Sequence, residues 1–169
     1  VPTVGRRSND DSADPLYMSS LKGKRVAIEV AGIIYKQNWA AVRYVIANHS
    51  FVSITRDGIT QWSRPSDDEI YDTFRTYFGS FIRRIIESGI IPVFVLEGKA
   101  PDMKSMTIQK RSDVKADQEL KVNSLRDTVD LSEYRKRLLY SYPPSAKHVD
   151  IVIDILRDKG VTVIRSRHE

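Results

Sequence analysis

Apolar and polar positions along this chain follow two periods, and each switch between them marks an element. Lys24 to Val30, K-R-V-A-I-E-V, is apolar from Val26 onward except at Glu29 and reads as a strand. Ile33 to Val45 follows a helical period; Tyr35 and Trp39, four residues apart on one face, are expected to lie in the core. Residues 51–62 alternate on either side of Asp57-Gly58, a pair suited to a type I′ turn, so a hairpin is expected. Ser66-Asp67-Asp68-Glu69 has the spacing of a capping box, in which the hydroxyl and the carboxylate satisfy orphan amides at a helix start. Ile70, Phe74, Phe78, Ile82 and Ile85 then recur at helical intervals until Gly89. Ile90 to Leu96 is a short run of β-branched and aromatic residues, of the kind buried on both faces of a parallel sheet. Near the end, Ser145 precedes a helix whose Val149, Val152, Ile153 and Leu156 share a face. Gly160 stops it, and Val161 to Ile164 form a third strand.

Strand, helix and strand thus occur in order twice, which predicts an α/β fold with a parallel β-sheet flanked by helices. Two stretches stand apart. Residues 1–20 are polar and read as a loosely attached segment. Residues 103–142 are rich in lysine and arginine, with helical spacing from about Met103 to Lys121 and from about Leu131 to Tyr142. Neither piece carries a wide apolar stripe, so the region is expected to be a basic insertion standing off the sheet, with residues 21–169 otherwise one domain.

Totals change this picture only at the margins. Hydrophobic content of 41% and charged content of 29% are those of a globular domain. No apolar run approaches the roughly 18 residues of a membrane span, and no apolar core of a secretory signal follows Arg6 and Arg7. Cysteine is absent, which removes disulfides, thiol nucleophiles and cysteine-based zinc sites and suits an intracellular location. A net charge of +5 favours an anionic partner, nucleic acid being the commonest. The chain starts at Val1 and stops at Glu169 directly after a strand-like run, which reads as part of a longer molecule.

Candidate chemistry gathers at the strand ends. Glu29, Glu97 and Glu169 each lie at or just after the carboxyl end of an expected strand, and parallel strands bring such ends to one edge. Carboxylates that converge raise one another's pKa unless a divalent cation sits among them, and hard oxygen donors favour Mg²⁺ or Mn²⁺. Such clusters perform two-metal phosphoryl transfer. Directly after Glu97-Gly98 come Lys99, Lys104, Lys110 and Arg111, cations suited to a phosphate, with Lys115 a little further on. His49, His148 and His168 show no ligand spacing.

V-F-V-L-E-G-K-A-P-D-M-K-S-M-T-I-Q-K-R, residues 93–111, closely resembles the stretch of the flap endonuclease (XPG-like) 5′ nucleases where a strand-end aspartate precedes G-K-x-P and the arch helix. K-R-V-A-I-E-V-A-G-I-I-Y resembles that family's first strand, and G-V-T-V-I-R-S-R-H-E the strand before its acidic motif. The resemblance covers about residues 22–169, the N-terminal half of the nuclease domain; the C-terminal part is not in this sequence.

The resemblance implies a PIN/5′-nuclease-like fold with residues 103–142 as a helical arch. It implies two Mg²⁺ ions, with Mn²⁺ the alternative, held by Glu29, Glu97 and Glu169 together with acids beyond this sequence. Lys104 and Arg111 match the arch cations that grip the scissile phosphate, and Tyr35 the tyrosine that stacks on a base beside the cut. Lys99, Lys110 and Lys115 are expected along the nucleic-acid backbone. The partners implied are DNA with a 5′ flap or 5′ end, RNA-containing strands, and a replication or repair assembly, nuclear in a eukaryote; no membrane is expected. Two departures are plain: the family's aspartates are glutamates at 29 and 97, each one methylene longer, and Ser166-Arg167-His168 replaces A-P-S before the acid. A piece ending at Glu169 is expected to be inactive alone. The other reading is a catalytically impaired homologue that binds nucleic acid or serves as a structural subunit.

Overall fold

The computed structural model describes residues 18–56, 59–97, 113, 114, 116, 117, 120, 121 and 130–166. After a short 3₁₀ turn at Met18–Leu21 come β1 (Arg25–Glu29), α1 (Val30–Asn48), β2 (Ser53–Arg56), β3 (Ile59–Trp62), α2 (Asp67–Glu87) and β4 (Ile91–Leu96). Beyond these lie α3 (Leu131–Leu138), α4 (Ala146–Asp158) and β5 (Thr162–Arg165). Among the described residues no helix is long and apolar enough to cross a membrane.

Three strands form a parallel sheet in the order β1-β4-β5, so the run that leads to Glu97 is the central strand. Glu29 pairs in register with Val95, and Leu96 with Arg165. Ile91 donates its N–H to the carbonyl of Lys24 at 3.0 Å, and Ser166 donates to Leu96 at 2.9 Å, so the ladder extends past both strand ends. β2 and β3 pair antiparallel with Arg56 opposite Ile59, which is the expected hairpin; residues 57 and 58 lie outside the described ones.

The longest helix forms where its signals are strongest. Ser66 accepts from the Glu69 N–H at 3.2 Å, and the Glu69 carboxylate accepts from the Ser66 N–H at 2.7 Å, closing the capping box. That backbone contact holds the Glu69 carboxyl below its ordinary pKa. Ile70, Phe74, Phe78, Ile82 and Ile85 are all buried, as their spacing predicts. Gly89 then turns the chain into β4 at φ +78°, a left-handed conformation that an L side chain resists.

Helices α1, α2 and α4 cover one face of the sheet. Pro92, Phe94 and Leu96 of β4 point to that side and are buried. Phe94 and Leu96 share a core with Val30 and Ile34 of α1, Phe74 and Phe78 of α2, and Ile151 and Val152 of α4. Positions on the other face, Ala27, Ile91, Val93, Val95, Thr162 and Ile164, are half-buried or exposed. The expectation that Ile90 to Leu96 is buried on both faces is therefore corrected: among the described residues, only one face is packed.

A second correction concerns the basic region. Tyr134 and Leu138 of α3 and Tyr142 just beyond are buried against Val42, Val45 and Ile46 of α1 and Ile70 of α2, forming a second core cluster. Three residues at helical spacing suffice because α3 is short and meets two helices at once, so a narrow stripe is enough to dock it. Residues 131–142 thus pack on the body of the protein. The described residues of the earlier piece, Asp113, Val114, Ala116, Asp117, Leu120 and Lys121, are helical; most of that piece lies outside the described residues.

Candidate nucleic-acid and metal site

The carboxyl edge of the parallel sheet brings together two of the expected acids. Glu29 ends β1 and is also the N-cap residue of α1, so strand passes to helix with no intervening loop. Glu97 follows β4 directly. With Glu29 level with Val95, Glu97 stands one strand over and two residues further on, roughly 8 Å away between Cα atoms from ordinary strand spacing. Residues 95 and 97 share a strand parity, which places Glu97 on the same side as Glu29, away from the packed core. Both carboxylates are exposed. The first turn of α1, whose amides carry partial positive charge, opens at this same edge.

As hard oxygen donors open to solvent, Glu29 and Glu97 fit Mg²⁺ in kind. Among the described residues no group of three or more His, Asp or Glu side chains comes together. Glu169, the third expected ligand, lies outside the described residues, as do Lys99, Lys104, Lys110, Arg111 and Lys115.

Tyr35 lies six residues along α1 from Glu29, about 9 Å up the helix. The expectation that Tyr35 and Trp39 are core residues is corrected here, since they are 59% and 39% exposed. The buried face of α1 runs instead through Val30, Ile34, Asn38, Ala41, Val42, Val45 and Ile46. Since α1 is apolar on most of its circumference, periodicity alone gives two candidate stripes, and the sheet selects the one without the aromatic rings. Trp39 meets Tyr140, with ring centroids 5.5 Å apart and planes tilted by 53°.

Below these rings sits a polar knot that sequence reasoning missed. His148, on α4, is buried with Asn38 of α1. Its Nδ1 accepts the Ser145 N–H at 3.0 Å, which fixes the proton on Nε2, and Nε2 donates to Asn38 Oδ1 at 2.8 Å. Asn38 Nδ2 donates in turn to the Tyr142 carbonyl at 2.7 Å. The Tyr142 hydroxyl donates to the Pro65 carbonyl at 2.5 Å and accepts from Arg64 Nε at 2.9 Å. Burial lowers the pKa of His148, and burial raises that of Tyr142 to about 12 against the opposing contact with Arg64. The signal was a polar side chain at a core-facing position on each of two helices. These groups hold α1, α4 and the 139–145 segment together and thereby set the position of the exposed rings above them.

Comparison with known proteins places these observations. The XPG N-terminal domain profile matches residues 8–118. Flap endonuclease 1 of Sulfolobus acidocaldarius is 29% identical over 162 residues, which are 95% of this chain and 42% of that protein. Flap endonuclease 1 of Phytophthora infestans is 30% identical over 147 residues, 85% of this chain and 34% of that protein. Among solved structures, the catalytic core of Rad2 in complex with DNA substrate aligns at a TM-score of 0.47 and 19% identity, covering 92% of this chain and 32% of that one. The chain therefore spans well under half the length of the relatives it matches. With the profile running from the polar start, through β1 and its Glu29, past β4 and Glu97 and into the basic region, this chain belongs to the XPG family, whose N-terminal domain it carries.

Proposed function

We propose that this chain is the N-terminal part of a structure-specific 5′ nuclease that hydrolyses DNA phosphodiesters near a 5′ flap or 5′ end. The observation that carries the reading is the family match over residues 8–118, on a sheet whose carboxyl edge bears both Glu29 and Glu97. The curated relatives named above are flap endonucleases, which supports the substrate class. Glu29, Glu97 and Glu169 would hold two Mg²⁺ ions, or Mn²⁺, which when bound activate water and stabilise a leaving oxygen. Lys104 and Arg111 would stabilise charge building on the phosphate, with Lys99, Lys110 and Lys115 along the backbone and Tyr35 stacked on a base. The basic stretch that begins at residue 103 would supply the arch, ending where residues 131–142 dock on the body through α3. The setting proposed is a replication or repair assembly, in the nucleus of a eukaryote, with RNA-containing strands as further substrates.

Incubating the intact protein with a labelled 5′-flap duplex and Mg²⁺ tests this directly, and release of the flap is expected. The second reading, a catalytically impaired homologue acting as a nucleic-acid-binding or structural subunit, draws on the glutamates at both 29 and 97. Retained binding of the duplex with no product at any Mg²⁺ or Mn²⁺ concentration would decide for it.

A further inference from the structure

Between the last turns of α1 and the first turns of α2 lies a cleft of about 320 Å³, at the lower limit of ligand-sized clefts. It is remote from the acid edge, since Tyr44 is fifteen residues along α1 from Glu29, about 22 Å up the helix. α1 contributes Tyr44, Val45 and Asn48 to the lining, and α2 contributes Glu69 and Asp72. Tyr44 is 54% exposed, and Tyr77 steadies its ring through an edge contact at 6.0 Å between centroids. The polar atoms left over are acceptors. Asp72 enters no ion pair among the described residues, and the Glu69 carboxylate is bound to Ser66 through Oε2 alone. Asn48 Nδ2 donates to the Tyr44 carbonyl at 2.7 Å, which leaves Oδ1. His49, on the same margin, is engaged with Ser63 Oγ at 3.2 Å. Among the described residues no lysine or arginine lines the cleft.

We infer that this cleft takes an arginine side chain from a basic segment of a partner protein, its guanidinium against the Tyr44 ring and forked to the Asp72 carboxylate. A guanidinium carries five N–H donors and no acceptor, the complement of a lining whose spare atoms accept. Its planar, weakly hydrated charge stacks on a ring and bridges to a carboxylate at once, which a compact ammonium does less well. A divalent cation is a poorer match, because a ring offers it no oxygen and no group of three or more His, Asp or Glu gathers among the described residues. Asp68, one turn before Asp72 on α2, continues the acidic margin, so a second base on the same segment meets a second charge. A chain of net charge +5 presents acids at this one surface, which selects a cationic partner and repels a phosphate backbone. The inference therefore does not rest on the nuclease reading.

The test titrates the intact, nitrogen-15-labelled protein with the peptide acetyl-Gly-Gly-Arg-Gly-Gly-amide and with its lysine counterpart at low salt, following backbone amide shifts by NMR. Saturable shifts are expected to centre on Tyr44, Asn48 and Asp72, with the lysine peptide about 3-fold weaker. Asp72→Asn and Tyr44→Ala are each expected to weaken the arginine peptide about 5-fold, the scale of an exposed ion pair or cation–ring contact. Tyr44→Phe keeps the ring and should bind as wild type does, which separates stacking from a disturbed fold. Unchanged affinity in both Asp72→Asn and Tyr44→Ala overturns the inference, as does equal binding of the lysine peptide. Shifts of the same amides by Mg²⁺ alone, with no response to either peptide, overturn it as well. Cutting of the labelled flap is expected to be the same in wild type and Asp72→Asn, so the peptide result and the nuclease reading stand or fall separately.

Discussion

His148 and Asn38 meet in the interior through a 2.8 Å hydrogen bond although 110 residues separate them in sequence. The histidine is neutral there by necessity, since its other ring nitrogen accepts a backbone N–H. Protonation would place a second N–H against that donor, inside a core of Tyr71 and Phe74 rings.

A pH dependence of stability follows. The folded pKa of His148 lies below its ordinary value of 6.5, so the unfolded chain binds the proton more readily. Stability from this group is complete above pH 6.5 and is lost as pH falls through the lower folded value, with a slope of at most about 1.4 kcal/mol per pH unit. Urea unfolding at pH 7.5, 6.5 and 5.5 is expected to show a falling midpoint, and His148→Gln to flatten it. Glu69 contributes to a separate loss, below its ordinary value of 4.5.

Docking of α3 is tested at Leu138, which is fully buried with Val42 and Ile70. Leu138→Ala is expected to destabilise the whole protein by about 2–5 kcal/mol. An unchanged melting temperature would mean that residues 131–142 do stand off the body.

Ser66 supplies half of the box that starts α2. Ser66→Ala should cost about 1 kcal/mol, and Ser66→Asp much less, because a carboxylate also caps and favours the helix dipole. Thermal unfolding of the two variants side by side gives the comparison, and equal losses would count against the capping role.

At the acid edge, Glu29→Gln and Glu97→Gln in the intact protein are each expected to slow flap cleavage about 100-fold with little change in duplex affinity. Lys104→Ala and Arg111→Ala should likewise reduce the single-turnover rate more than binding. Replacing both glutamates by aspartate is expected to raise the rate if the added methylenes misplace the carboxylates; no gain would show that the longer side chains are accommodated.

Much of this was legible in the chain itself, for reasons that differ by element. α2 announced itself because capping box, period and stop glycine all agree, and the parallel strands because each is a short apolar run directly before or after a helix. The acids at 29 and 97 could be placed on one edge from strand direction alone. Three features were not legible. Tyr35 and Trp39 lie on a helix whose apolar residues allow two stripes, and only the sheet's position decides between them. α3 holds on by Tyr134, Leu138 and Tyr142, too few to register as a stripe until the two helices it meets are known. Asn38 and His148 look like ordinary polar substitutions until packing brings them within bonding distance.

The one-sided sheet sets an order of opening for its backbone amides. β4 has a hydrogen-bonded neighbour on each flank, whereas β1 and β5 have one each among the described residues. Local opening of a margin strand breaks one ladder and exposes little apolar surface on the unpacked side; opening of β4 breaks both ladders and the Phe94 core together. Hydrogen exchange should therefore be slowest along Val93 to Leu96, near the limit of global unfolding, and faster in both margins. The strand that leads to Glu97 is thus expected to be the last of the three to open, so the acid follows the most persistent strand of the described sheet.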